Sequence, residues 1–191
     1  SAVFEPDHIY TQPGTYTIQL VGLDESQCVD GDTAFVNVTV LPEVNPTLSA
    51  DTTICAGTSA VLSATGTSAL HWIAQPGLNN LTNPTQTVQP NATTTYQIID
   101  QNTCDADTLD VTITVSIAHV IAGPDASICV GQTAGITATG TGSFAWTPST
   151  NLSNANAAST NCTATSTTTY TVTLTNTDGC TDQDSLEVFV F

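Results

Sequence analysis

Neither lysine nor arginine occurs anywhere in the 191 residues, and methionine is missing as well. Against 17 acidic side chains and three histidines, this leaves a formal net charge of −17. Gripping phosphate takes cations, so nucleic acid and anionic lipid are excluded as expected partners. The missing lysine amine also rules out Lys–Asn and Lys–Asp isopeptide cross-links, and trypsin has no site. Carboxylate repulsion has no basic side chain to offset it. Salt or divalent cations should therefore raise the melting temperature, and a flat response would count against this. Aromatic residues make up only 6%. Low aromatic content with high acidity can signal disorder, but 40% of the residues are hydrophobic and they alternate with polar ones. No apolar run approaches the ~20 residues of a membrane span, so no membrane insertion is expected. No charged segment with an apolar core opens the sequence, which reads as mature secreted chain.

What is present is repetition. Three segments, starting at Cys28, Cys104 and Cys180, set a cysteine and paired carboxylates in a turn and follow them with alternating apolar residues. A period of two marks a half-buried β-strand. Tyrosine opens the strand before each: Tyr16-Thr-Ile-Gln-Leu, Tyr96-Gln-Ile-Ile and Tyr170-Thr-Val-Thr-Leu. Residues 44–117 and 118–191 align at an offset of 74, pairing Asp51 with Asp125, Cys55 with Cys129, Trp72 with Trp146 and Tyr96 with Tyr170. This is a tandem duplication. Strands are expected near 46–53, 60–65, 70–75, 86–89, 95–100 and 108–115, with Gly-, Pro- and Asn-rich turns between them. The pattern predicts an all-β fold of tandem Ig-like β-sandwiches, residues 44–117 and 118–191. Residues 1–43 supply only the closing hairpin of a further module, which on its own is at best marginally stable. The short segment between Val115 and His119 should hold the two sandwiches end to end.

The run Pro6-x-His8-x-Tyr10-x-x-x-Gly14-x-Tyr16-x-Ile18 resembles the end of PKD domains, an Ig-like family. Residues 1–43 then correspond to the C-terminal half of a PKD-like module. The order Ile-Cys-x-Gly, Trp, Thr-Thr-Thr-Tyr, then Cys with acidic residues is similar to the tandem Ig-like repeats of large Bacteroidota cell-surface proteins. Gliding-motility adhesins exported by type IX secretion belong to that group. The resemblance implies an extracellular, cell-surface, non-enzymatic repeat protein. Its partners would be neighbouring modules of the same longer chain and the secretion or motility machinery.

Six cysteines without zinc spacing point to disulfides and an oxidising compartment. Two pairings stand open among Cys28, Cys55, Cys104, Cys129 and Cys180. Within modules, Cys55 would join Cys104 and Cys129 would join Cys180. In an Ig-like sandwich, however, the first turn and the last hairpin turn lie at opposite ends, about 20 Å apart, whereas bonded Cα atoms need ~7 Å or less. Topology therefore leans towards Cys55 with Cys180 across the linker. Cys162, whose counterpart is Val88, reads as a buried free thiol.

The Asp pairs Asp30/Asp32, Asp105/Asp107 and Asp182/Asp184 offer oxygen ligands of the type calcium takes, or simply cap their turns. Calcium is the only cofactor the sequence suggests. Asp followed by Thr or Ser and a small or aliphatic residue is similar to the O-glycosylation signal of Bacteroidota. That similarity marks Thr33, Thr52, Thr108 and Ser185 as glycan sites and the chain as a glycoprotein. No nucleophile, base and orienting group stand out among the three histidines and their surroundings, so no enzyme is expected. Trp72 and Trp146 read as core anchors ahead of sugar-stacking platforms. The expected function is a structural stalk segment of a secreted surface adhesin or filament. The alternative is a spacer or carbohydrate-binding module of a secreted hydrolase, and the half module could also accept a strand from another chain.

Overall fold

The computed structural model describes residues 7–22 and 32–191, and within them every regular element is a β-strand. Two sandwiches repeat one strand order. In the first, β3 (Thr47–Leu48), β5 (Ala60–Thr65) and β7 (Thr85–Val88) form a sheet in the order β3-β5-β7. Facing it are β4 (Thr52–Cys55), β9 (Ala106–Ser116), β8 (Thr94–Gln101) and β6 (Ala69–Trp72), ordered β4-β9-β8-β6. The second sandwich is built likewise from β10 (Val120–Ala122), β12 (Ala134–Gly140) and β14 (Ser159–Cys162) against β11 (Ala126–Ile128), β16 (Thr181–Val190), β15 (Thr168–Thr175) and β13 (Ser143–Thr147). The opening strand divides between two sheets and its second part runs parallel to the last strand, β4 with β9 and β11 with β16. That order is immunoglobulin-like.

Alternation decides which side chains go inside. β5 buries Ala60, Leu62 and Ala64, and β8 buries Tyr96 and Ile98, while the residues between them point outward or are only half covered. Trp72 and Trp146 are 1% and 2% exposed, and their indole N–H groups donate to the carbonyls of Asn83 and Ala157 at 2.9 and 3.0 Å. Buried like this, neither ring offers a face to a sugar.

One expected element needs correction. The strand read over 46–53 is two strands, because the chain leaves β5 after the Ser49 N–H donates to the Ser63 carbonyl. Asp51 then accepts the Thr112 N–H at 2.8 Å on the opposite sheet. Leu48 and Ile54 both pack on the core, so the apolar pattern runs straight through the crossing. Likewise β6 stops at Trp72, and β9 begins earlier than expected, at Ala106. Residues 7–22 and 32–40 contribute β1 (Gly14–Gly22) and β2 (Asp32–Val40), an antiparallel pair.

Candidate functional site

Where the sandwiches meet, three residues, Ile117, Ala118 and His119, separate β9 from β10. The joint is built from the end of β4, the end of β9 and the turn between β15 and β16. In that turn the Asn176 side-chain carbonyl accepts the N–H groups of Asp178 and Cys180 at 3.0 and 2.9 Å. Gly179 takes the left-handed φ of 81° that lets its own N–H reach the Asn176 carbonyl. The turn is thereby fixed by one asparagine, and it holds Cys180 almost fully buried. Opposite it, Cys55 ends β4 and pairs in register with Ser116 of β9.

Cys55 and Cys180 are joined by a disulfide with their Cα atoms 5.4 Å apart. Polar contacts flank the bond. The Asn176 amide donates to Ser116 Oγ at 2.9 Å, and that hydroxyl donates to Asp178 at 2.5 Å. On the far side of the linker Asp182 and Asp184 accept the backbone N–H groups of Val120 and Ala122 at 2.9 and 2.8 Å. The bond from Val120, then that from Gln183, holds the Asp182 carboxyl below its ordinary value, with help from His119 at 3.7 Å. Both ends of the linker are therefore held.

Equivalent pieces recur at the outer ends. Asn102 accepts the N–H groups of Cys104 and Asp105 and donates to the Pro42 carbonyl at 3.0 Å, as Asn176 does towards Ser116. Cys104 is free and exposed. Cys129, also free and exposed, begins a turn whose Gln132 N–H returns to the Cys129 carbonyl, as Thr58 returns to Cys55. Cys28 and Asp30 lie outside the described residues. Cys162 is buried and free, and donates to the Tyr170 hydroxyl at 3.3 Å. Burial first, then contact with Cys162, pushes the Tyr170 phenol well up.

The other expected ligands sit apart. Asp32, Asp107 and Asp184 each accept the N–H of the next residue, and Asp105 accepts that of Ala106. Among the described residues no three His, Cys, Asp or Glu side chains gather as a cation site. Thr33, Thr52, Thr108 and Ser185 are all exposed on their strands. Two features were not foreseen from sequence. One is the asparagine that frames each cysteine turn, whose recurrence at Asn102 and Asn176 was the available signal. The other is Asp100, fully buried with the N–H groups of Thr67 and Ser68 on its two oxygens at 2.8 and 3.1 Å.

No protein-family profile matches the chain, and no curated protein matches it in sequence. Solved structures of tandem immunoglobulin domains do align with it. The IG1 and IG2 domains of DIP-gamma do so at 14% identity and a TM-score of 0.47, covering 76% of this chain and 97% of that one. Extracellular domains 3–5 of Drosophila OTK give 13% and 0.45, covering 94% and 71%. The insect immune protein hemolin gives 11% and 0.45, covering 92% and 56%.

Proposed function

We propose that this chain is a stiff, non-enzymatic stalk segment of a secreted surface adhesin, with modules at 44–117 and 118–191 and a further module closed by the hairpin within 1–43. The observation that carries this reading is the Cys55–Cys180 bond across the joint. A disulfide inside a module would stabilise one bead. Placed between modules it removes their freedom to swing, which suits a spacer that must project and not fold back. Disulfides persist in oxidising compartments, which supports an extracellular setting for the segment. Bacteroidota-type surface display by type IX secretion, and a role in gliding, are the finer form of this proposal and rest on the repeat motifs. O-glycans on Thr33, Thr52, Thr108 and Ser185 belong to it as well, and intact mass of native material at the bare polypeptide value would remove them.

Small-angle scattering of the oxidised chain and of Cys55→Ser tests the stalk. The oxidised chain should fit one conformation of fixed length. The variant should need a distribution of inter-module angles. Identical profiles would mean that the bond does not set the stiffness, and the stalk reading would lose its support.

A further inference from the structure

The β1–β2 hairpin repeats β8–β9 and β15–β16 in cross-strand register. Tyr16 stands opposite Val38, as Tyr96 does opposite Val111 and Tyr170 opposite Leu186. In both sandwiches the face bearing these pairs is sealed by the three-stranded sheet. Tyr96, Ile98, Val111 and Ile113 are wholly buried there. On the hairpin, Ile18, Leu20 and Val36 share that face and are 37%, 66% and 56% exposed. Its other face is threaded by polar contacts, Thr17 to Asn37 and Thr15 to Thr39. The first side thus repeats the pattern of a core wall, while the second mixes these polar pairs with the exposed side chains of Phe35 and Val21. Tyr10, stacked on Tyr16 at 4.3 Å, covers one part of the wall. Among the described residues, β2 has no partner along its outer edge, where β9 has β4 and β16 has β11.

An independent observation sits at the same place. The turn carrying Cys104 shares a framing asparagine with the turn carrying Cys180, although Cys104 stands at the tip of a two-residue loop closed by Asp105 while Cys180 itself closes a three-residue one. Asn102 reaches back to Pro42 just beyond β2, as Asn176 reaches back to Ser116 at the end of β9. In the occupied joint the cysteine bonded to the turn comes from the strand lying parallel to β9. Cys104 has the turn and the asparagine, but its thiol is free.

We infer that the β1–β2 hairpin is a docking site for a polypeptide that adds a strand parallel to β2 and bonds its terminal cysteine to Cys104. The occupant is the complementary part of an immunoglobulin-like sandwich, and its docking strand is of the Thr52-Thr53-Ile54-Cys55 type. Transferring the β4–β9 register, in which Thr52 stands opposite Ile113, sets the occupant's first strand residue opposite Val40. Its cysteine then falls level with Glu43, beside the Asn102–Pro42 contact. Proline at position 42 is compatible with this. The equivalent Val115 turns its N–H away from β4 to the Thr93 hydroxyl, so the added strand needs no donor there. A second copy of this chain does not supply the strand, because β4 and β11 are already paired in their own sheets. The inference does not depend on the stalk reading.

The bond forms by thiol–disulfide exchange. The Cys104 thiolate attacks the occupant's sulfur, the disulfide that sulfur already carries breaks, and the departing thiolate takes up the proton Cys104 released. The probe is a peptide of residues 49–57, supplied as its mixed disulfide with glutathione to the intact chain, beside a peptide of the same composition in scrambled order. Cys129 is the internal reference, since it too is free and exposed and its neighbouring strand β11 is already paired. Mapping of the adducts by mass should give Cys104 over Cys129 by roughly five-fold or more with the native order, the ratio one modest docking contact produces. The scrambled peptide should label both alike. Equal labelling by the native peptide would overturn the inference, as would the same preference from the scrambled one. Dimerisation of the chain that covers β1–β2 and leaves Cys104 reduced would overturn it too.

Discussion

In a chain without lysine or arginine, a carboxylate has only backbone N–H groups, polar side chains, histidine and water to answer it. Asp100 shows how far this goes. It is fully buried, and its two oxygens take the N–H groups of Thr67 and Ser68. In the second sandwich the same position is the buried Leu174, and the period of two through Tyr96 and Ile98 points Asp100 inward as well, against what its charge suggests. Acidic residues in so acidic a sequence read as surface, so this role was not legible. Asp100→Ala should lower stability by about 1–3 kcal/mol, since two partly buried N–H donors lose their acceptor and the interior position is left short of its side chain; denaturant unfolding would measure it. Asp182 carries a pH dependence. Its carboxyl is held below the ordinary 3.8 chiefly by the Val120 N–H, so its contribution is complete above that value and is lost as pH falls through the lowered one. Asp182→Asn should lower stability slightly at neutral pH, where the carboxylate's contribution is removed, and flatten the acid limb of a thermal melt series.

At the scale of elements, the strands that alternate cleanly were legible, and so was the duplication that repeats them. β5, β7 and β8 fall within a residue or two of expectation because burial on one face is written every second residue. The split of the opening strand was not legible. Leu48 and Ile54 keep the period across the break, and what divides them is the sheet to which each backbone segment bonds. The hairpin β1–β2 raises the opposite case, an element with the right pattern and little cover. Its backbone bonds match those of β8–β9 in number of paired positions and more, yet its apolar face is open. Amide exchange should be the readout. β1 and β2 should exchange well before β8, β9, β15 and β16, since protection follows buried contact more than bonding pattern. Equal protection would mean that the face is covered in solution.

Across the whole molecule, the joint was partly legible. Cysteine spacing left two pairings open, and the ends to which an immunoglobulin-like topology sends its turns favoured the one observed. The polar contacts around it were not legible, because Ser116, Asn176 and Asp178 come from segments 60 residues and more apart.

Pulled from its two ends, the molecule would not load its strands evenly. Tension entering at β4 crosses the sulfur bridge from Cys55 and leaves through Cys180 into β16, so the 125-residue span between the two cysteines is shunted. Both tryptophans, most of both cores and the linker itself lie inside that shunt. Single-molecule stretching of the oxidised chain should therefore yield a contour about 40 nm shorter than that of the reduced chain, taking ~3.3–3.6 Å per extended residue. Equal contours would mean that the bridge is not intact under load. With it intact, the cores can melt only where β4 and β16 are drawn out, and the bulk of the protein is slack rope beside a taut one.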